Sequence, residues 1–327
     1  MSARSSALRP PARRTGLWVA GILLCSALFV GLYEYFVRSF TGQLIELTLL
    51  NASEHFEHPL PTVHLGSPWN MALVVAVPAA LFVAIMLARQ KFLSALIAVG
   101  TIVGANLSTQ VLKHTWLDKP MLAGGPEWPP FWVNNTLPSG HTTMAASIAV
   151  AVFLIASPRQ RPLFAVLIAV YSGAVGAYMF IETWHTPADV IAAYLVVAVW
   201  AMVGGWLIMR TEPRHNTVID DAAPDVAPAA AFNWFLGVVL SLGAMACLVI
   251  GGGWSAIAAP AEDISLWHWF AGVLICLGPA FLVSAAAINL FGAESGVRQR
   301  GAAVPSPKGE RLVYPVPSEL RELYERV

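Results

Sequence analysis

The sequence predicts an all-α fold, a polytopic membrane helix bundle of about eight transmembrane helices around a six-helix core. Three observations carry this. Hydrophobic residues make up 57% of the 327-residue chain and charged residues only 12%. With a mean hydropathy of +0.64, the chain is far too apolar for an ordinary soluble domain. Apolar runs recur that are long enough, at about 1.5 Å per residue, to cross roughly 30 Å of hydrocarbon. Lysine and arginine gather in alternate connecting segments, as the positive-inside rule requires of a chain that crosses a bilayer repeatedly.

Arg4, Arg9, Arg13 and Arg14 precede a first run from about Leu17 to Val37. It is long and lacks a clear small-residue cleavage site, so it reads as a retained span rather than a signal peptide. The segment from Arg38 to Pro68 is mixed in polarity, holds Glu46, Glu54, Glu57, His55, His58 and His64, and fits either an interfacial helix or a lid. A second span covers about Trp69 to Ala88, with Pro78 as a candidate kink. Arg89 and Lys91 make a basic turn before a third span from about Phe92 to Leu112. The next loop carries Lys113, Asp118, Lys119, Glu127, Trp116, Trp128 and Trp132.

Ser139 opens a fourth span that ends near Ser157, and Arg159 and Arg161 form another basic turn. The fifth span, from about Leu163 to Phe180, leads through Glu182, Thr183, Trp184, His185, Thr186 and Pro187 to a sixth that ends near Met209. Residues 210–230 are polar and proline-bearing and read as a linker. Two more spans follow, about Phe232 to Gly252 and Trp267 to Leu290, joined by a loop with Glu262 and Asp263. A basic tail closes the chain, with a short helix expected from Ser318 to Arg326. The units expected are a basic N-terminus (1–16), a six-span domain (17–209), a linker (210–230), two additional spans (231–290) and a tail (291–327). No internal repeat is visible.

The charge alternation puts both termini in the cytoplasm and the loops before Ser139 and around His185 together on the outer face, with the plasma (cell) membrane as the expected location. The formal net charge of zero gives no sign of nucleic-acid binding. Cys25, Cys247 and Cys276 each lie within an apolar run, which argues for small core residues over a disulfide framework or a thiolate metal site.

Pro138-Ser139-Gly140-His141 places a histidine where a helix begins. Ser139 is a natural N-cap and Gly140 allows close approach to the backbone, at a helix end that favours anions. His185-Thr186-Pro187-Ala188-Asp189 occupies the mirrored place at the start of the sixth span. Asp189, four residues after His185, can orient its imidazole. It can also serve only as the carboxylate of a capping box on Thr186 with Pro187 at the first helical position. Two such histidines can act on one reacting atom only if their rings lie within about 10 Å, given the reach that proton transfer needs.

These residues resemble the type 2 phosphatidic acid phosphatase family of membrane lipid phosphatases. Its pattern is a Lys, a spacer and Arg-Pro; then Pro-Ser-Gly-His; then Ser-Arg, five residues, His, three residues and Asp. The second block is complete at Pro138 to His141, and the third ends correctly in His185 and Asp189. Lys113 and Lys119-Pro120 stand for the first block, one residue short and with Lys119 in the Arg place. Tyr178-Met179 replaces Ser-Arg. The resemblance spans roughly Phe92 to Met209 and leaves the last two spans unexplained.

It implies an outward-facing phosphatase or phosphotransferase acting on a lipid phosphate or polyprenyl diphosphate. In that scheme His185 is the nucleophile, Asp189 its orienting partner and His141 the acid-base. Lys113, Lys119, Ser139 and Gly140 hold the phosphate, and no metal or other cofactor is needed. The missing arginine keeps open two alternatives: a member of the fold that has lost phosphatase chemistry and binds or alters another lipid, or a non-enzymatic transporter or scaffold.

Other groups have weaker readings. Trp69, Trp116, Trp128, Trp132 and Trp184 fit an interfacial aromatic belt better than a pocket. His55, His58 and His64 with Glu54 and Glu57 fit surface residues better than a metal site. Glu182 is a site contact or a loop end. Asn106 and Gln110 are expected to face the bundle.

Overall fold

The computed structural model describes residues 10–56, 68–123, 127–128, 133–219, 225–253 and 264–298. Among them are nine helices: α1 (Thr15–Leu32), α2 (Phe40–His55), α3 (Pro68–Arg89), α4 (Phe92–Val111), α5 (Gly140–Ile155), α6 (Arg161–Ile181), α7 (Pro187–Thr211), α8 (Ala227–Ile250) and α9 (Leu266–Glu294). Wide turns at Tyr33–Val37 and Leu112–Trp116 prolong α1 and α4. Six helices are long and apolar enough to cross a membrane, and Val74–Arg89 and Gly140–Ile155 are shorter apolar helices. The chain is an integral membrane protein, and these eight segments coincide with the eight runs read from sequence.

Two expectations change. The mixed segment after the first span is helix α2, started by Ser39, whose hydroxyl accepts the Gly42 N–H. Gln43, Glu46, Leu50 and Ser53 on α2 are all buried. Their spacing of three, four and three residues places them on one helical face, so α2 is part of the packed body. The second change concerns the linker and the tail. Thr217–Ile219 (β1) pairs in parallel with Gly296–Arg298 (β2), in the register Thr217 to Gly296 and Val218 to Val297. Three-residue strands are too short to leave an alternation in the sequence, which is why composition suggested only a connector. The expected helix from Ser318 to Arg326 lies outside the described residues, as do Glu262 and Asp263.

The two additional spans pack onto the rest of the bundle. α9 lies against α6, α7 and α2, and α8 lies mainly against α9. The Ser284 hydroxyl of α9 donates to the Ala165 carbonyl of α6 at 2.6 Å. Tyr194 of α7 reaches both neighbours, donating to the Ser172 carbonyl at 2.9 Å and the Cys276 carbonyl at 3.2 Å. Gly272 of α9 sits against the Phe180 ring, an approach a larger residue would block. One apolar cluster, with Leu49, Leu137, Phe180 and Val190, underlies the end of the bundle where α5 and α7 begin. A second, with Trp18, Phe153, Met209 and Phe291, fills the opposite end. Cys25, Cys247 and Cys276 are free thiols, the latter two buried.

Because Tyr194 joins three helices through one buried hydroxyl, Tyr194→Phe is expected to lower stability by about 1 kcal/mol. A lower thermal midpoint in detergent with unchanged helix content would show this.

Candidate active site

The start of α5 is built by Ser139. Its side chain accepts the Thr142 N–H at 3.3 Å, and its hydroxyl donates to Thr142 Oγ1 at 3.0 Å. A Cβ added at Gly140 would meet only the Gln110 amide, at 3.6 Å, so this face of the helix start is open. The Ser139 N–H donates to the Asp189 carbonyl at 3.0 Å. That bond ties the start of α5 directly to the first turn of α7.

The approach to α7 is set by how α6 ends. Thr183 takes a left-handed φ of 56°. Its N–H donates to the Phe180 carbonyl at 2.9 Å and the Trp184 N–H to the Met179 carbonyl at 2.9 Å, the two bonds of a Schellman C-cap. The His185 N–H shares the Met179 carbonyl at 3.1 Å. Thr186 then caps α7, with Pro187 at its first position and Asp189 completing a capping box. Asp189 Oδ2 accepts the Thr186 N–H at 3.3 Å and bonds His185 Nδ1 at 3.0 Å. The two roles open in the sequence, helix cap and histidine partner, thus fall on one oxygen.

The His141 and His185 ring centroids are 6.2 Å apart, inside the limit set by proton-transfer reach. His185 and Asp189 are buried while His141 is exposed. Lys113 is close enough for its charge to act on His141, and Lys113 and Lys119 both act on Asp189. The Lys119 ammonium lies 3.0 Å from the centre of the Trp128 ring. Burial pulls its pKa down to about 8, against the pull of Asp189 and Glu46, so it stays mostly charged at neutral pH. All seven residues singled out from sequence, Lys113, Lys119, Ser139, Gly140, His141, His185 and Asp189, therefore gather at one end of the bundle.

Sequence reasoning missed the part played by α2. The Glu46 carboxylate accepts the Ala188 N–H at 3.2 Å and bonds the Thr186 side chain. Burial first, then the nearby Asp189, push its pKa up to about 8, more than the bonds from Thr186 and Ala188 and the charge of Lys119 pull it down. The Ser53 hydroxyl donates to the Phe180 and Ile181 carbonyls at 3.0 and 3.1 Å, satisfying the end of α6. Gln43 holds the lysine loop: its amide donates to the Pro120 carbonyl at 3.0 Å and accepts from Trp128 Nε1 at 3.2 Å. The signal available was the polar stripe at 43, 46 and 53 in a segment otherwise able to form an amphipathic helix.

Some of the weaker readings are revised and others hold. Trp128 is buried beneath Lys119, and the Trp184 ring is 5.4 Å from His141, so both belong to the site rather than to a belt. Trp116 is exposed. Trp132 and the Trp69 side chain lie outside the described residues. Asn106 turns inward to Ser147 at 3.1 Å, whereas Gln110 is exposed beside Gly140 at the mouth of the site. Glu182 is the half-buried C-cap of α6. Glu54 and His55 are exposed, and Glu57, His58 and His64 lie outside the described residues. A cavity of about 490 Å³, lined by Ile45, Leu49, Ile191, Ala244, Leu248 and Ile275, also touches Glu46 and Ala188. This places a hydrocarbon-lined space against the first turn of α7.

The sequence pattern of the PAP2 superfamily matches residues 70–216. These residues form a PAP2 superfamily domain. No curated protein and no solved structure matches the chain. The PAP2 domain reaches further back than the resemblance seen in the motifs, to α3, and contains all seven candidate residues. It leaves out α1, α2, α8 and α9, so Glu46 comes from outside it. Within the domain, the position corresponding to the arginine of the third block is Met179, whose side chain is fully buried in the cluster beneath the site.

Glu46 makes stability depend on pH in a defined sense. Its folded pKa of about 8 lies above the ordinary 4.5, so the folded state retains a proton that the unfolded chain releases. Stability from this group is full below about 4.5 and is lost as pH rises toward about 8. Glu46→Gln, which keeps an acceptor for Ala188 but cannot ionise, is expected to flatten that part of the profile. Thermal unfolding of both proteins between pH 5 and 9 measures the difference.

Proposed function

We propose that the protein is an outward-facing membrane phosphatase or phosphotransferase for lipid phosphates or diphosphates, polyprenyl diphosphates among them, acting through a phosphohistidine. The observation that carries the reading is the His185–Asp189 bond at 3.0 Å with the His141 ring 6.2 Å from that of His185. An ionised carboxylate only accepts, so Nδ1 of His185 carries the proton and Nε2 is left with a free lone pair. In this scheme Nε2 attacks phosphorus and the bond from phosphorus to the lipid oxygen breaks. His141 in its protonated form gives that oxygen its proton. His141 then takes a proton from water, whose oxygen displaces His185 and frees phosphate.

Lys113, Lys119 and the N–H groups around Ser139 and Gly140 neutralise the phosphate oxygens, so the scheme calls on no metal or other cofactor. The apolar cavity behind the first turn of α7 supports a substrate with a hydrocarbon chain. The distribution of Lys and Arg supports eight spans with both termini in the cytoplasm of a plasma membrane protein. The same reading divides the chain into a six-span phosphatase-like unit at 17–209, a linker at 210–230 and two additional spans at 231–290.

Met179 favours a second reading. Loss of a donor to the transition state costs about 2.7 to 4 kcal/mol, and a buried methionine supplies none. A chain with this site and no phosphatase chemistry would bind or alter another lipid.

Purified protein in detergent is expected to release phosphate from phosphatidic acid or a polyprenyl diphosphate without added metal. His185→Ala should abolish release, and His141→Ala should slow it about 100- to 10,000-fold. Unchanged activity in His185→Ala would sink the phosphohistidine. A wild-type protein inactive across a panel of lipid phosphates would put the second reading first.

A further inference from the structure

Gln110 stands apart from the other polar residues in the second half of α4. Thr101 Oγ1 donates to the Ile97 carbonyl at 3.1 Å, and the Asn106 amide donates to the Ile102 carbonyl at 2.8 Å and to Ser147 Oγ at 3.1 Å. Thr109 pairs with Thr143 of α5 at 3.1 Å. These side chains close bonds within the bundle. Gln110 instead continues the outward stripe of Val103 and Leu107, which are 49% and 61% exposed. On a membrane span such a stripe meets hydrocarbon, and an amide is favourable there only near the polar boundary or against a polar ligand.

Three observations place this amide at the phosphate end. Gln110 lies in the last turn of α4, three residues before Lys113, so the two side chains share one side of the helix and its extension. Its Nε2 is 3.6 Å from where a Cβ on Gly140 would stand, so it faces the open side of the α5 start. The next residue, His141, is exposed and within reach of the Lys113 charge. Ser139 takes the Thr142 N–H on its side chain at 3.3 Å and the Thr143 N–H on its carbonyl at 3.0 Å. The N–H groups of Gly140 and His141 are then the ones this helix start offers to an anion. An oxygen held by them lies against the same face that the Gln110 amide approaches.

We infer that Gln110 is a further phosphate-binding residue of this site, its side-chain N–H donating to an oxygen of the lipid phosphate seated at the start of α5. The inference rests on the phosphatase reading for its ligand. Gln110 lies inside the PAP2 domain but outside the three sequence blocks of the motif. A neutral amide has two donors and adds nothing to the positive charge of Lys113 and Lys119. It takes up part of the role left vacant where Met179 replaces an arginine, without the charged two-pronged fork that a guanidinium would supply.

The test uses the full chain in neutral detergent with a non-hydrolysable phosphonate analogue of phosphatidic acid as ligand, and diacylglycerol, which lacks the phosphate, as control. Gln110→Ala is expected to weaken phosphonate binding about tenfold, the worth of one hydrogen bond to a charged group, and to leave diacylglycerol binding unchanged. Gln110→Glu, of the same size but anionic, should weaken it further. Gln110→Lys, which keeps a donor, should recover most of the loss. The KM for phosphatidic acid should follow the same order. Because the side chain is exposed, the variants should keep the wild-type thermal midpoint, and a series of three survives the misfolding of one.

The outcomes separate this contact from the catalytic scheme. Phosphonate binding that follows the order Lys, Ala, Glu in a protein that releases no phosphate keeps the Gln110 contact and removes the phosphohistidine. Phosphate release together with phosphonate binding indifferent to all three substitutions keeps the phosphohistidine and overturns the contact. Equal losses for phosphonate and diacylglycerol, or a wild-type chain that does not bind the phosphonate, overturn it as well.

Discussion

Asp189 is the joint on which the site depends. One carboxylate oxygen takes the Thr186 N–H and His185 Nδ1, and the backbone carbonyl of the same residue takes the Ser139 N–H. In an apolar bundle, backbone groups without partners cost several kcal/mol, so each of these bonds is close to obligatory. The consequence is geometric. Fixing Asp189 fixes the cap of α7, the orientation of His185 and the position where α5 begins, and through α5 it fixes His141. Two histidines 44 positions apart in sequence are held in register by a residue that also has an ordinary helical duty.

Around that joint, α2 works as a brace that the PAP2 domain does not itself provide. Ser53 satisfies the end of α6, Glu46 the start of α7, and Gln43 the loop that carries Lys119. The raised pKa of Glu46 alters the electrostatics of the whole end. With Glu46 protonated near neutral pH, Asp189 is the main negative charge facing Lys113 and Lys119. The site then carries surplus positive charge, which suits an anionic phosphate. A second ionised carboxylate there would cancel it. Helix α2, outside the PAP2 domain, thus bears on the charge of the site as well as on the bonds that position it.

The apolar runs made the membrane bundle legible because about 20 apolar residues have few other uses. His141, His185 and Asp189 were legible because caps and histidines at helix starts leave short, ordered signatures. Whether Asp189 capped or oriented could not be read from spacing, since the same offset serves both. Glu46 was hidden for a related reason: its partner, the Ala188 N–H, is a backbone group 142 positions away that no residue type announces. Trp128 and Trp184 fall in sequence near the outer interface, where an aromatic belt is the ordinary expectation. Only the fold reveals that one lies under Lys119 and the other beside His141. The β1–β2 pair escaped for want of length.

Met179 gives the arrangement its sharpest constraint. Its carbonyl holds the Trp184 and His185 N–H groups, while its side chain is packed in a cluster that includes Ala271, Cys276 and Ala280 of α9. The residue is therefore committed twice, once to the turn that presents His185 and once to the apolar cluster beneath the site. An arginine on this backbone would have to leave that cluster or carry an unpaired charge into it, at several kcal/mol. The absence of a guanidinium at this position and the packing of the apolar cluster are two sides of one solution. Under the proposed phosphatase reading, phosphate recognition at this end falls to Lys113 and Lys119, after α4, and to the N–H groups at the start of α5.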